Sequence, residues 1–520
     1  MFVGALRILA CVIGVAAPAA AQPKQSLVVL LTVDQLRADY LTRFGSQLTG
    51  GLARLSRGGA WFPNAHHDHA ITETAPGHAT LLAGRFPRST GIMMNRAGVE
   101  DDASPLLAAG YGPGASPRRF VGTTLVDWIA ARDPTSRAFS VSTKDRGAIL
   151  PVGRSKSEVY WYSPDGRFVT SSYYRDSLPS WVSAFNDRHV PQRYAGRAWS
   201  LILPDSAYPE PDSVAAEDNG VGFVFPHVLP SDPEAAANVI RGTPFIDEIT
   251  IAFALHGVQA LALGTGGRTD VLAVSLSAMD YVGHRYGPDS REMHDEVLRA
   301  DRLIGVFLDS LFKLRDSSTI TIALTGDHGA GTIPELAPAG VQPRPARVSL
   351  GGVLPILHAG LAAANVDTMA IDTDVQIVFA DRAAFKRAKV NADSTLASFA
   401  EKVRALPGVA RVDRFAALLK DSLSDPIARR WSHQFPANAE VELVITLTPL
   451  SLWGSGVVAS HGSPRDYDTN VPLIFAGAGV RPGLHSQFVR TVDLAPTLAA
   501  ILGVRPMERL DGVVLGEVVR

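Results

Sequence analysis

Leu27-Val28-Val29-Leu30-Leu31-Thr32-Val33-Asp34 is a near-continuous apolar run that ends in a carboxylate. A run of this length without polar alternation reads as a strand covered on both faces, the situation of a parallel sheet. The construction recurs. Val271-Leu272-Ala273-Val274-Ser275-Leu276 closes towards Asp280, and Thr319-Ile320-Thr321-Ile322-Ala323-Leu324 closes at Asp327-His328. A fourth run, Val471-Pro472-Leu473-Ile474-Phe475, follows His461. Between the runs, Val297, Ile304, Leu308 and Leu311 recur at helical spacing, and Thr243-Pro244 supplies an N-cap followed by proline at the first helical position. Strands alternating with helices predict an α/β fold, a doubly wound, mostly parallel sheet flanked by helices. Such sheets bind ligands outside the carboxyl ends of their strands, where loops converge. Three runs ending in potential ligands therefore point at one site.

Two regions interrupt the rhythm. Residues 155–240 are rich in aromatics and proline, with Tyr160-Trp161-Tyr162 and Tyr173-Tyr174, and read as an irregular insertion over the sheet's edge. Residues 340–450 hold a strand-like Val375–Phe379, a helix with Leu396, Phe399, Val403 and Leu406 on one face, and a strand from Val441 to Leu447. They read as a small α+β cap. The expected organisation is a signal peptide over 1–21, a core over 22–339 carrying the insertion 155–240, the cap over 340–450, and a return to the core over 451–520.

The chain has 520 residues, a formal net charge of −2 and a 46% hydrophobic content, so it has core enough for a large domain and no basic excess for a nucleic-acid partner. Arg7, an apolar run from Ile8 to Ala17 and the small residues Ala19-Ala20-Ala21 form the pattern of a cleavable secretory signal. The run is shorter than the ~20 residues a membrane span needs. Cys11, the single cysteine, lies inside it, so a mature chain would have neither disulfide nor thiol ligand. A periplasmic or secreted protein without a membrane span is expected, with its oligomeric state left open.

Asp280 and His284 are four apart, which places both heads on one side of a helical turn, and carboxylate plus imidazole is a zinc-type pair. Alone the pair is weak, since an Asp and a His at this spacing are more often a surface contact. Asp327-His328-Gly329 is stronger, because two adjacent polar groups at a strand end have no packing reason to be there. Ser460-His461-Gly462 adds an imidazole with small neighbours. His66-His67-Asp68-His69 is the most conspicuous cluster, yet it lacks the strand-end context, and contiguous ligands rarely close a shell. It reads as a polar loop, with one histidine orienting a ligand. Thr72-Glu73-Thr74-Ala75-Pro76-Gly77-His78 leads into a short helix with Thr74 at its N-cap, a place where exposed amides attract anions. His78 reads as helical packing. By itself Thr74 is only a cap; beside a metal its hydroxyl becomes a nucleophile.

Taken in order, Val33-Asp34-Gln35, Thr74-Ala75-Pro76-Gly77-His78, Asp280 with His284, Gly326-Asp327-His328-Gly329 and Ser460-His461-Gly462 resemble the alkaline phosphatase superfamily. Val492-Asp493-Leu494-Ala495-Pro496-Thr497-Leu498 is similar to the helix that closes its core. Asn95 and the segment Ser142-Thr143-Lys144-Asp145-Arg146-Gly147-Ala148-Ile149-Leu150-Pro151 resemble the threonine-nucleophile, phosphate-irrepressible alkaline phosphatases of bacterial periplasms.

The resemblance implies an alkaline phosphatase-like fold and two Zn2+ ions, one on Asp280, His284 and His461, the other on Asp34, Asp327 and His328 with Thr74 as a further metal ligand. It also implies that Thr74 is phosphorylated in turnover and that Asn95, Lys144 and Arg146 surround the phosphoryl oxygens. Two cations favour a dianionic phosphate monoester over a singly charged diester. Small-molecule phosphate monoesters are thus the expected substrates. A phosphodiesterase or nucleotide pyrophosphatase on the same fold is the enzyme alternative. An exported metal- or phosphate-binding protein is the non-enzyme alternative.

Overall fold

The computed structural model describes residues 25–107 and 112–520. The expected signal peptide and Cys11 lie outside them. The core opens with β1 (Leu27–Val33) and β2 (Ala60–His66), continues through helix α1 (Thr74–Leu81) to β3 (Ala138–Ser142), and passes α2 (Asp145–Ile149) into the hairpin β4 (Glu158–Ser163) and β5 (Arg167–Val169). After a long excursion come α3 (Phe245–Ala260), β6 (Asp270–Leu276), α4 (Ala278–Tyr286), α5 (Arg291–Leu314) and β7 (Ile320–Thr325). The chain then builds a separate antiparallel sheet from β8 (Ile371–Asp374), β9 (Ile377–Ala380), β10 (Val409–Arg414) and β11 (Val441–Leu447), with α6 (Ala392–Arg404) against it. It returns through β12 (Asn470–Gly477), β13 (Gly483–Leu484) and β14 (Val489–Arg490) to α7 (Leu494–Leu502).

The central sheet runs β13-β2-β12-β7-β1-β6-β3-β4-β5, with β14 also on β2. Strands β7, β1, β6, β3 and β4 are mutually parallel, while β5 and β12 run against their neighbours. The continuous apolar runs are explained by burial on both sides. Leu27, Val29, Leu31 and Val33 face α3 and α5, whereas Val28 and Leu30 face α1 and α7. On α5 the residues Val297, Ile304, Leu308 and Leu311 are fully buried, as their spacing predicts.

Three local expectations are corrected. Tyr160-Trp161-Tyr162 lie in β4 of the central sheet, so the stretch 155–240 is not all irregular; aromatic residues suit a half-buried pleated surface, and the later prolines obscured that signal. Val375 is no strand residue but sits at φ 52° in the two-residue turn joining β8 to β9, where cross-strand pairing overrides its β-propensity. Helix α3 begins at Phe245 with Pro244 as its N-cap, one residue later than Thr243-Pro244 suggests. Among the described residues no helix is long and apolar enough to cross a membrane.

Candidate active site

Parallel register brings three acidic loops to one edge. Thr32 of β1 pairs Ser275 of β6 on one side and Thr325 of β7 on the other, so Asp34, α4 and Asp327-His328 leave the sheet at the same level. Helix α4 is anchored by Asp247, whose Oδ1 accepts from the Ser277 and Ala278 amides at 2.9 and 3.2 Å. On α4, His284 Nε2 lies 3.3 Å from Asp280 Oδ1, and His461 Nε2 lies 3.5 Å from the same oxygen. In the second set His328 Nε2 lies 3.4 Å from Asp34 Oδ1 and 3.6 Å from Asp327 Oδ2. Within each set one ligand atom per residue lies within 4.8 Å of the others. The His328 and His461 rings stack with centroids 3.5 Å apart, so the two sets adjoin.

These residues fit divalent cations. In all three histidines Nδ1 donates to a backbone carbonyl: His284 to Ala459 at 2.9 Å, His461 to Thr72 at 2.7 Å and His328 to Gly329 at 3.0 Å. A ring whose proton is committed at Nδ1 presents Nε2 as a lone pair. Lone pairs facing carboxylates repel, and Asp34 Oδ1 and His328 Nε2 are buried without a hydrogen bond. Positive charge among them removes both costs, and mixed nitrogen and oxygen donors suit zinc among the divalent ions. Burial, with repulsion from Asp280 and Asp327, pushes the Asp34 carboxyl well above its usual range. Burial likewise holds His328 neutral. At His461 burial is outweighed by Asp280, which raises the ring above its ordinary value, another sign that the site demands positive charge.

Thr74 is the first residue of α1, and Glu73 takes the N-cap position that the sequence assigns to Thr74. The hydroxyl stays buried at the start of the helix. Lys144, at the N-cap of α2, brings its Nζ to 2.6 Å from Asp34 Oδ2, 2.5 Å from Asp280 Oδ2 and 3.3 Å from Thr74 Oγ1. One cation thus touches a carboxylate of each set and the candidate nucleophile. Burial alone would lower its pKa, but Asp280 and Asp34 prevail and keep it charged. Arg146, in the first turn of α2, pairs loosely with Asp145 at 3.5 Å, and its buried Nε has no hydrogen-bond partner. Asn95 Oδ1 accepts from the Ala75 amide at 2.8 Å, and the Asn95 backbone N–H donates to Glu73 Oε2 at 2.5 Å. With its carbonyl fixed on α1, its Nδ2 is the end left to donate.

A family profile for type I phosphodiesterase / nucleotide pyrophosphatase matches residues 28–342. The alkaline phosphatase PafA of Elizabethkingia meningoseptica is 30% identical over 512 residues, 93% of each chain. The chain belongs to this phosphodiesterase/nucleotide pyrophosphatase family, within the alkaline phosphatase superfamily. The alkaline phosphatase PhoK of Sphingomonas sp. is 31% identical over 525 residues, 95% of this chain and 91% of that one. The crystal structure of PafA superimposes with a TM-score of 0.87 at 28% identity, over 96% of this chain and all of that one. The superfamily resemblance read from the motifs is borne out, as is the mostly parallel α/β fold.

In this superfamily member the His66-His67-Asp68-His69 cluster is the expected polar loop, here a buried one. All four side chains are buried, His66 ends β2, and Asp68 pairs with Arg429 at 3.0 Å. None belongs to either ligand set. His67 does orient a ligand loop, since its Nε2 donates to the Gly326 carbonyl at 2.9 Å. His78 does more than pack: its Nδ1 lies 3.1 Å from Asp327 Oδ2 and its Nε2 lies 2.9 Å from Ser275 Oγ. Its position one turn after Thr74 was the available signal. Asp468 was also missed; its Oδ2 accepts from the Ser463 amide at 2.8 Å and so fixes the loop of His461. Burial pushes that carboxyl up to about 6.

Proposed function

We propose that this chain hydrolyses phosphate monoesters through a phosphothreonine at Thr74, with two divalent cations, zinc by donor type, held by Asp280, His284 and His461 and by Asp34, Asp327 and His328. The chain is a phosphatase-type hydrolase. When bound, such ions supply Lewis acidity to the attacking and leaving oxygens. Thr74 Oγ forms a bond to phosphorus as the bond to the leaving alkoxide breaks; water then attacks phosphorus, releasing inorganic phosphate and restoring the hydroxyl. Lys144, in contact with Thr74 Oγ1, stabilises the deprotonated hydroxyl. Asn95 Nδ2 and the Arg146 fork are the chain's own donors for the non-bridging oxygens.

The observation that carries the monoester reading is Lys144, a buried charged ammonium against Thr74 with Arg146 two residues on. A second negative charge on the substrate answers this pair, and a diester lacks it. A solved variant of PafA has a threonine, an asparagine, a lysine and an arginine replaced, with the same spacing within each pair as Thr74 to Asn95 and Lys144 to Arg146. The family profile itself favours the second reading, a phosphodiesterase or nucleotide pyrophosphatase. Catalytic efficiency on matched aryl mono- and diesters decides between them. In Lys144→Ala/Arg146→Ala the monoester should lose far more than the diester; equal losses would defeat the monoester reading. The pattern over residues 1–21 supports export, which amino-terminal sequencing of the mature protein tests.

A further inference from the structure

We propose that Gln35 is a positioning residue that ties the two ligand sets together, an inference that rests on reading those sets as metal ligands. Gln35 is completely buried and holds φ 67°, a left-handed conformation uncommon for a residue with a side chain. In that conformation it reaches both sets. Its backbone amide donates to Asp327 Oδ1 at 3.1 Å, and its side-chain Nε2 donates to Asp280 Oδ1 at 2.9 Å. Asp34, the residue before it, belongs to the same set as Asp327.

The bond to Asp280 selects an oxygen. Oδ1 is the atom on which His284 Nε2 and His461 Nε2 converge, while Oδ2 faces Lys144. Gln35 and Lys144 thus hold the carboxylate from opposite ends, which fixes its rotation. A glutamate at 35 would set a second carboxylate against Asp280. Gly283 makes room for the amide: a methyl group there would lie 1.6 Å from Gln35 Oε1. Gln35 Oε1 is itself buried without a hydrogen-bond partner. A strained backbone and an unpaired oxygen both disfavour this arrangement, so the contacts to Asp280 and Asp327 are what it accomplishes.

The test is zinc titration of the stripped full-length protein against a chromophoric chelator, with cobalt(II) absorption reporting each site. Gln35→Asn keeps a residue that adopts positive φ readily and keeps the amide on Asp327, but its side chain is one methylene short of Asp280. It should bind one cation as the unaltered protein does and the other roughly 10–100-fold more weakly. Gly283→Ala displaces the Gln35 amide without removing it and should show the same one-site loss. Unchanged affinity for both cations in these two variants, or equal loss at both sites, overturns the proposal. Asp280→Ala separates the underlying reading: if it too binds two cations undiminished, the ligand assignment fails; if it loses one while the Gln35 variants do not, only the role of Gln35 fails.

Discussion

His78 Nδ1 lies 3.1 Å from Asp327 Oδ2, and this contact clamps the helix that presents Thr74 to a carboxylate of the neighbouring ligand set. Because the same ring donates towards the Thr74 carbonyl at 2.9 Å and meets Ser275 Oγ at 2.9 Å, it stands between nucleophile, ligand and sheet. His78→Ala should therefore weaken zinc binding by roughly 10–100-fold, since partners that orient ligands have effects of that size. Zinc competition titration checks this. His78→Gln, which retains a donor, should recover part of the loss.

Gly77 controls how closely that helix approaches Asp327. A methyl group at this position would meet the Asp327 carbonyl oxygen at 2.3 Å, and backbone cannot move aside as a side chain would. Gly77→Ala should cost about 3 kcal/mol of stability if the helix shifts to relieve the clash. Denaturant unfolding of the metal-free protein would measure it. The shift also carries Thr74 away from Lys144, so hydrolysis of an aryl phosphate should fall more than stability alone explains.

Thr74→Ala should abolish hydrolysis of an aryl phosphate by several orders of magnitude while leaving both ligand sets in place, because none of their six residues depends on the hydroxyl. Thr74→Ser should retain substantial activity. Mass spectrometry after acid quenching should find a phosphate on residue 74 in the unaltered chain and not in the alanine variant. Unchanged turnover in Thr74→Ala would remove Thr74 from the chemistry.

Strand ends were legible in the sequence because apolar runs in a parallel sheet have no polar alternation to blur them, and each run led to its acidic residue. Asp34, Asp280, His284, Asp327, His328 and His461 follow from that pattern and from motif order. What escaped were groups whose role comes from contacts between distant segments. Asp247 anchors α4 across 30 residues of chain. Gln35 reads as an ordinary polar residue until its left-handed backbone is seen. The histidine cluster at 66–69 could be set aside from sequence because it lacks the strand-end context of the others, and none of its side chains joins either ligand set.

His66 sets an acid limit on stability apart from the ligand histidines. It is 7% exposed, its Nδ1 lies 2.9 Å from Thr469 Oγ1, and its Nε2 lies 3.1 Å from Asn64 Oδ1. Burial lowers its pKa to about 4, helped by Arg430 and His67 and opposed by Asp466 and Asp68. An unfolded histidine titrates near its ordinary value of about 6.5, so the unfolded chain takes up the proton first as pH falls. The stabilisation is therefore complete above about pH 6.5 and is lost progressively down to about pH 4, up to roughly 3 kcal/mol for this group. Urea unfolding of the metal-stripped protein at stepped pH should show that slope, and His66→Gln should flatten it while leaving stability at pH 8 less affected. An equal slope in the variant would assign the acid sensitivity to other groups.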